Sequence, residues 1–170
     1  LLMKLTFLTI ILSFFISNTY AQQLFAHVNA EQIIAIMPEA ATATLAFQEE
    51  QQVLQDQKQM MMTEYESQAQ EFQINMANMT EIIKNDKLQS LRSLEERIML
   101  FEQSIEQSLS QKYQELMIPI SNKIQEAINL VAKEKGYTYV FELTAQQGGL
   151  VYTDDAYDIT NLVKEKLNLQ

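Results

Sequence analysis

Residues 39–118 read EAATATLAFQEEQQVLQDQKQMMMTEYESQAQEFQINMANMTEIIKNDKLQSLRSLEERIMLFEQSIEQSLSQKYQELMI and contain neither glycine nor proline. These two residues interrupt regular structure most strongly, and the segment is instead rich in residues that favour helix, such as Gln, Glu, Met, Leu and Lys. Eighty such positions are too many for one helix of a globular domain and too polar for a membrane span. The segment therefore predicts a long helical arm that carries the function of the protein.

Apolar residues within the arm keep helical spacing in two runs. In the outgoing run, successive apolar residues are seven, four or three positions apart, and in the return run the spacing alternates between three and four positions. Between the runs lies Lys84-Asn85-Asp86-Lys87, where Asn and Asp accept turn conformations. This indicates a fold-back with its tip near residues 84–90, although an uninterrupted coiled-coil rod fits the same pattern. The outgoing run comprises Leu54, Met61, Tyr65, Phe72, Met76, Met79 and Ile83, and the return run Leu91, Leu94, Ile98, Phe101 and Ile105.

Short β-compatible and helical segments precede the arm. Residues 24–28 have the composition of a strand. Asn29 followed by Gln32 resembles a capping pair that starts a short helix through Ile36, and Pro38 then interrupts the chain before the arm begins.

After the arm, the chain changes character at Gly136, the first glycine in the sequence. A helix through residues 124–131 should end there, because glycine favours the position just past a helix C-terminus. Residues 137–143 are typical of a strand, and a turn at 146–149 predicts a hairpin with a second strand at 150–153. Asp158 is the expected N-cap of a last helix.

The strands at the two ends of the arm favour the fold-back over the rod. Each strand is too short to be stable alone, and a hairpin brings them together into one small sheet. The predicted fold is α+β and predominantly α, with a helical-hairpin (coiled-coil) tentacle projecting from a small β-sheet body. The predicted divisions are a signal peptide over 1–21, an N-terminal body part over 22–45, the tentacle over 46–119 and a C-terminal body part over 120–170.

The first residues have the organisation of an export signal. Lys4 precedes an uncharged apolar run over residues 5–16, and Thr19-Tyr20-Ala21 places small side chains at the two positions that a signal peptidase reads. We therefore expect cleavage near Ala21 and a product outside the cytoplasm. An uncleaved N-terminal anchor is the alternative.

Charge and composition exclude several functions. Loss of Lys4 with the signal leaves 11 basic against 22 acidic residues, a net charge of −11, which argues against nucleic acid and favours a basic or apolar partner. The chain has no cysteine and one histidine, His27. No nucleophile motif or phosphate loop is present, and adjacent carboxylates such as Glu95-Glu96 diverge by about 100° on a helix. The sequence therefore predicts no enzyme, no cofactor and no metal site.

Four features of the sequence occur in a characteristic order: Ala26-His27-Val28-Asn29, the Gln- and Glu-rich helical pair, Gly136-Tyr137-Thr138-Tyr139-Val140-Phe141 and Asp158-Ile159-Thr160. In this order they resemble the Skp/OmpH family of periplasmic chaperones, which implies a periplasmic location. The resemblance implies a homotrimer whose β body holds three tentacles around a cavity. It also implies a holdase that binds unfolded outer-membrane β-barrel proteins without ATP. This chain differs from the best-known basic members in being acidic, and no match supports lipopolysaccharide binding.

Two groups of residues are candidates for contact with partners. Flexible thioether side chains suit clients of varied sequence, so the candidate client contacts are Met60, Met61, Met62, Met76 and Met79. Lys84, Lys87 and Arg92 would give the tentacle tip a local positive charge and a transient contact with a membrane surface. The alternatives are gap-filling methionines and ordinary solvated cations. A structural or adaptor coiled coil of the cell envelope is the alternative function.

Overall fold

The computed structural model describes residues 24–143 and 152–169. The predicted signal peptide and the predicted turn at 146–149 lie outside these residues. Two long helices account for most of the described chain, and short elements at both ends form the body. In chain order the elements are β1 (Phe25–Val28), α1 (Ala30–Ile34), α2 (Pro38–Asn75), a 3-10 turn (Met76–Asn78), α3 (Glu81–Lys135), β2 (Tyr139–Glu142), a 3-10 turn (Asp155–Tyr157) and α4 (Thr160–Lys166).

The ends of the two long helices coincide with residues that favour helix termini. Pro38 occupies the first turn of α2, where its missing N–H leaves no hydrogen bond unmade. Thr80 caps α3 by accepting a hydrogen bond from the backbone N–H of Ile83 at 3.4 Å. Gly136 ends α3 with φ of 75°, a left-handed conformation that glycine adopts without a Cβ penalty. The predicted C-terminus at Gly136 is thus confirmed.

Ion pairs between α2 and α3 show the antiparallel register of the hairpin. Lys58 Nζ lies 2.8 Å from Glu102 Oε1, Lys87 Nζ lies 3.4 Å from Glu71 Oε1, and Lys112 Nζ lies 4.0 Å from Glu50 Oε2. Lys123 also pairs with Glu39. The midpoint of each pair falls between positions 79 and 81. The chain therefore folds back, as the flanking strands predict, and does not continue as a rod.

The predicted tip near residues 84–90 is wrong. The fold-back is at residues 76–80, where the 3-10 turn leads into extended backbone at Met79 and Thr80. Lys84 and Lys87 lie inside α3, because the N-cap chemistry of Thr80 starts the helix before the polar stretch. Asn85 and Asp86 are helical as well. The Thr80 cap is thus a stronger signal for the turn than the polarity of residues 84–87.

The predicted apolar seam holds the hairpin together along most of its length. Leu54, Leu94 and Ile98 are buried, and Tyr65 and Phe72 are half-buried. Phe47 meets Tyr113 edge to face, with ring centroids 5.9 Å apart. The seam ends near the turn, since Met76 and Ile83, which the spacing assigns to it, are exposed.

The body is built from both ends of the described chain. β1 pairs in parallel with β2, with Phe25 opposite Tyr139 and Val28 opposite Glu142. Within the described residues this is a two-stranded sheet. The predicted strand at 150–153 lies partly outside them, and Tyr152 and Thr153 are not strand. The buried core includes Ala26, Val28, Ile33, Met37, Ile120, Ile124, Val131, Ile159 and Val163.

Local hydrogen bonds from side chain to backbone lie at the starts of both short helices. Asn29 Oδ1 accepts a hydrogen bond from the N–H of Gln32 at 3.0 Å, which confirms the predicted cap of α1. Asp158 Oδ1 accepts a hydrogen bond from the N–H of Thr160, the first residue of α4, at 2.8 Å. The N-cap position belongs to Ile159, so the predicted N-cap at Asp158 is one residue too early. A one-residue difference of this kind is common, because a helix start defined by a side-chain hydrogen bond and one defined by the backbone conformation need not coincide.

Candidate functional site

An open groove lies between the two long helices, about halfway along the hairpin. It has a volume of about 580 Å³. Met62 and Tyr65 of α2 and Ile98 and Met99 of α3 supply its apolar surface. The charged residues around it are Arg92, Glu95, Glu96 and Glu102. The groove therefore offers apolar area with a mixed-charge rim, an arrangement suited to weak binding of varied apolar segments.

The structure separates the five candidate methionines. Met60 points outward and is exposed, Met61 is half-buried in the seam, and Met62 lines the groove. Met76 is exposed at the fold-back and Met79 is half-buried there. The two groups are about 20 Å apart along the hairpin, at 1.5 Å per residue. The methionines are therefore distributed along the tentacle and do not form one site.

The candidate cations do not form a positive tip. Lys84 pairs with Glu81 at 2.8 Å and Lys87 with Glu71 at 3.4 Å, while Arg92 lines the groove. The fold-back instead carries exposed Ile74, Met76, Ile82 and Ile83, and Ile82 is 82% exposed. The sequence feature that indicates this apolar fold-back is the uncharged segment FQINMANMT at residues 72–80.

Charge is distributed unequally between the two limbs. α2 contains seven acidic residues and one lysine, whereas α3 contains nine acidic and eight basic residues. The acidity of the chain is therefore concentrated on the outgoing limb. Net charge alone does not reveal this asymmetry, although a count for each predicted limb does.

The body exposes an aromatic face that the sequence did not single out. Phe25 stacks on Tyr139, with ring centroids 5.6 Å apart and planes at 12°. Phe141 continues the stack, 6.2 Å from Phe25. All three side chains are exposed. Their association depends on a parallel register between distant strands, which local spacing cannot predict.

His27 is buried, at 6% exposure, on β1. Its Nε2 donates to the carbonyl oxygen of Asp154 at 3.1 Å, and its backbone oxygen accepts from the N–H of Ile159 at 2.9 Å. Among residues 24–143 and 152–169, Nδ1 has no hydrogen-bond partner. The ring thus connects β1 to the segment before α4, and no acid or nucleophile arranged for catalysis accompanies it in the described part of the chain.

Residues 24–143 and 152–169 contain no group of three or more His, Asp or Glu side chains that could hold a metal ion. None of their helices combines the length and the apolar character needed to cross a bilayer.

A long antiparallel helical hairpin, rooted in a small sheet body and carrying apolar surface along its limbs, defines a tentacle-type α+β protein of the Skp-like kind. The chain belongs to the OmpH-like family: the family profile described as outer membrane protein (OmpH-like) matches residues 24–167. This confirms the family that the local strings resemble.

A solved structure supports the same fold. The chain is similar to the crystal structure of an OmpH-like protein from Caulobacter crescentus CB15, proposed to be an outer membrane chaperone, with a TM-score of 0.73 and 10% sequence identity. The match covers 86% of this chain and 84% of the other. At this identity the likeness shows the fold alone. No curated protein sequence matches the chain.

Proposed function

We propose that this protein is a non-enzymatic, ATP-independent holdase that binds unfolded outer-membrane β-barrel proteins and keeps them from aggregating in the periplasm. The observation that supports the proposal is the open apolar groove of Met62, Tyr65, Ile98 and Met99 on a hairpin of the OmpH-like family. Unfolded barrel strands alternate apolar and polar residues and aggregate through their edges. Apolar surface spread along a tentacle would cover such strands.

Binding by many weak contacts suits this task. The methionines at 60–62 and at the fold-back present flexible apolar side chains at separate points of the hairpin, and linked weak contacts give a higher overall affinity than each alone. Release needs no fuel if folding of the client in the membrane is more favourable than staying bound.

The proposal includes assembly into a homotrimer. The exposed stack of Phe25, Tyr139 and Phe141 lies on the sheet of β1 and β2, which has two strands within residues 24–143 and 152–169. Such a sheet is marginally stable alone, and an exposed aromatic face favours association. Three copies joined through their bodies would place three hairpins around a shared cavity.

A transient membrane contact remains part of the proposal, through different residues from those first expected. Because Lys84 and Lys87 are paired with carboxylates, the exposed isoleucines of the fold-back are better suited than the cations to touch a bilayer surface.

The test is suppression of aggregation of a urea-diluted outer-membrane barrel, followed by light scattering. We expect a stoichiometric amount of the assembled protein to abolish most of the scattering. Unchanged scattering would refute the holdase function. Binding of one folded partner without any effect on unfolded barrels would favour the alternative, an adaptor of the cell envelope.

A further inference from the structure

The outgoing helix α2 carries a second apolar stripe, on the side that faces away from α3. Its members are Leu45, Val53, Met60 and Ile74, which are between 54% and 69% exposed. Their spacings are eight, seven and fourteen residues, so at 100° per residue they fall within about 80° of one another. The seam residues Leu54, Met61 and Phe72 lie on the opposite side, about 140° away. The stripe is therefore not part of the hairpin core.

Acidic side chains lie within the stripe. Glu49 and Asp56 are exposed on the same face of α2, and neither forms an ion pair with any cation of residues 24–143 and 152–169. The lysine of α2, Lys58, already pairs with Glu102 of α3. The stripe therefore combines apolar side chains at near-heptad spacing with uncompensated negative charge.

The corresponding surface of α3 lacks this organisation. Ile82, Leu100 and Ile118 are exposed there, but they are eighteen residues apart. Eighteen residues correspond to about 27 Å along a helix, so this face of α3 has no counterpart of the eight- and seven-residue steps from Leu45 through Val53 to Met60. The outer face of α2 is thus distinct from that of α3 in both charge and spacing.

The heptad spacing of the stripe determines which conformation of a partner segment can pack against it. Seven residues of α2 rise about 10.5 Å, which a second helix with its own heptad repeat matches residue for residue. An extended segment, at about 3.3 Å per residue, would meet the stripe at every third residue, and alternate residues of a strand would point away. The spacing therefore favours a helix.

Charge selects the chemistry of that helix. A second copy of α2 would bring its seven acidic residues and single lysine against an equal set, and an anionic bilayer or a nucleic acid would be repelled in the same way. We propose that the outer face of α2 binds a basic amphipathic helix of another protein, with apolar residues in heptads and Lys or Arg beside them. This inference does not rest on the holdase activity.

One position of the stripe makes the proposal testable by a gain of binding. Ser67 occupies the heptad position midway between Met60 and Ile74 and is exposed. A leucine at this position would extend the apolar stripe without touching the seam. Ser67→Leu should therefore strengthen the interaction, an effect that misfolding cannot imitate.

The probe is a fluorescein-labelled synthetic peptide of four Leu-Ala-Gln-Leu-Lys-Gln-Lys repeats, and binding is followed by fluorescence anisotropy. A scrambled peptide of the same composition keeps the charge and loses the heptads, and a third peptide carries Glu in place of Lys. We expect the heptad basic peptide to bind at least about tenfold more tightly than either control, since apolar and charge complementarity act together. Equal binding of the scrambled peptide would overturn the proposal.

Variants locate the site on the protein. Val53→Gln and Asp56→Lys should each weaken peptide binding by about threefold or more, and Ser67→Leu should strengthen it by a similar factor. The matched control Leu100→Gln removes an equally exposed leucine from α3 and should leave binding unchanged. Equal weakening by Leu100→Gln, or no effect of Asp56→Lys and Ser67→Leu, would refute the assignment. Loss of peptide binding with retained suppression of barrel aggregation separates this site from the holdase activity.

Discussion

The backbone N–H of Asn29 donates a hydrogen bond to Thr160 Oγ1 at 2.9 Å, across 131 positions of sequence. Thr160 is buried, and its N–H in turn donates to Asp158 Oδ1. The residue that caps α1 is therefore held by the first residue of α4. This contact connects the two ends of the described chain within the body.

Replacing Thr160 with valine should destabilise the body. The two side chains have nearly the same shape, so Thr160→Val removes two hydrogen bonds of the hydroxyl group: the one that it accepts from the N–H of half-buried Asn29 and the one that it donates to Asp158 Oδ1. Each such bond contributes about 0.5–1.5 kcal/mol to stability. Urea denaturation followed by far-UV circular dichroism gives the free energy of unfolding. Thr63→Val is the control, because Thr63 is exposed on α2. Equal stability of the two variants would contradict the structural role of this contact.

Charge introduced into the groove should weaken client binding. Met99 lines the groove and is 51% exposed, while its neighbour Leu100 is 54% exposed outside it. Met99→Asp should raise the concentration needed to suppress barrel aggregation by about tenfold or less, since one contact of a multivalent set is lost. Leu100→Asp makes the same chemical change at an adjacent position and should suppress aggregation as the unaltered protein does. Similar loss in both variants would argue against the groove as a client site.

The ion pair at the root of the hairpin should make its stability depend on pH. The hydrogen bond from Lys123 holds the pKa of Glu39 below its ordinary value of 4.5. A carboxyl group with a lower pKa in the folded state adds stability above its unfolded-state pKa and loses it as the pH falls through the folded-state pKa. The stability difference between the unaltered protein and Glu39→Gln should therefore be present at neutral pH and decrease below about pH 4.5.

Urea denaturation at several pH values measures that difference. Lys123→Gln should raise the pKa of Glu39, which an NMR titration of its carboxyl carbon reports. Glu49→Gln serves as the control, because Glu49 is exposed and forms none of the ion pairs within the described residues. A pH-independent difference would show that this ion pair adds no stability.

Polar substitution of the aromatic stack should reduce self-association. Tyr139→Gln removes a ring that stacks 5.6 Å from Phe25, and loss of an aromatic anchor at an interface typically costs about 2 kcal/mol or more. Sedimentation equilibrium should show the assembled species dissociating at a higher concentration than in the unaltered protein. Tyr152→Gln removes a more exposed tyrosine that is not in the stack and should leave the assembly intact. An unchanged assembly in Tyr139→Gln would exclude this face.

The helical hairpin was predictable because its signals are local and repeated. Breaker-free sequence, the seam of Leu54, Leu94 and Ile98, and the Gly136 cap each indicate helix independently. The polar residues Asn85 and Asp86 predict a turn in the wrong place, because both fit within a helix. The fold-back is marked instead by the Thr80 cap, which follows an uncharged segment. The Lys–Glu pairs are placed almost symmetrically about position 80. The register of the hairpin could therefore have been predicted by matching opposite charges on the two limbs.

The candidate site was only partly predictable. The sequence shows that the arm is rich in methionine. Which methionine points outward, which lies in the seam and which lines the groove depends on the exact rotation of α2 against α3, which the sequence does not give. The aromatic face was missed because Phe25 and Tyr139 lie in strands that meet only in three dimensions. The cations alone do not predict the charge of the tip, because Glu81, one helical turn away, pairs with Lys84, and Glu71, across the hairpin, pairs with Lys87.

The parallel pairing of β1 with β2 also sets an order of folding. β1 ends at Val28 and its partner begins at Tyr139, so β1 has no strand to pair with until more than a hundred further residues have emerged. The limbs of the hairpin meet across a turn of a few residues and close at a much smaller loss of chain entropy. We therefore expect the tentacle to form while the chain is still being delivered, and the body to close last, once both ends are present.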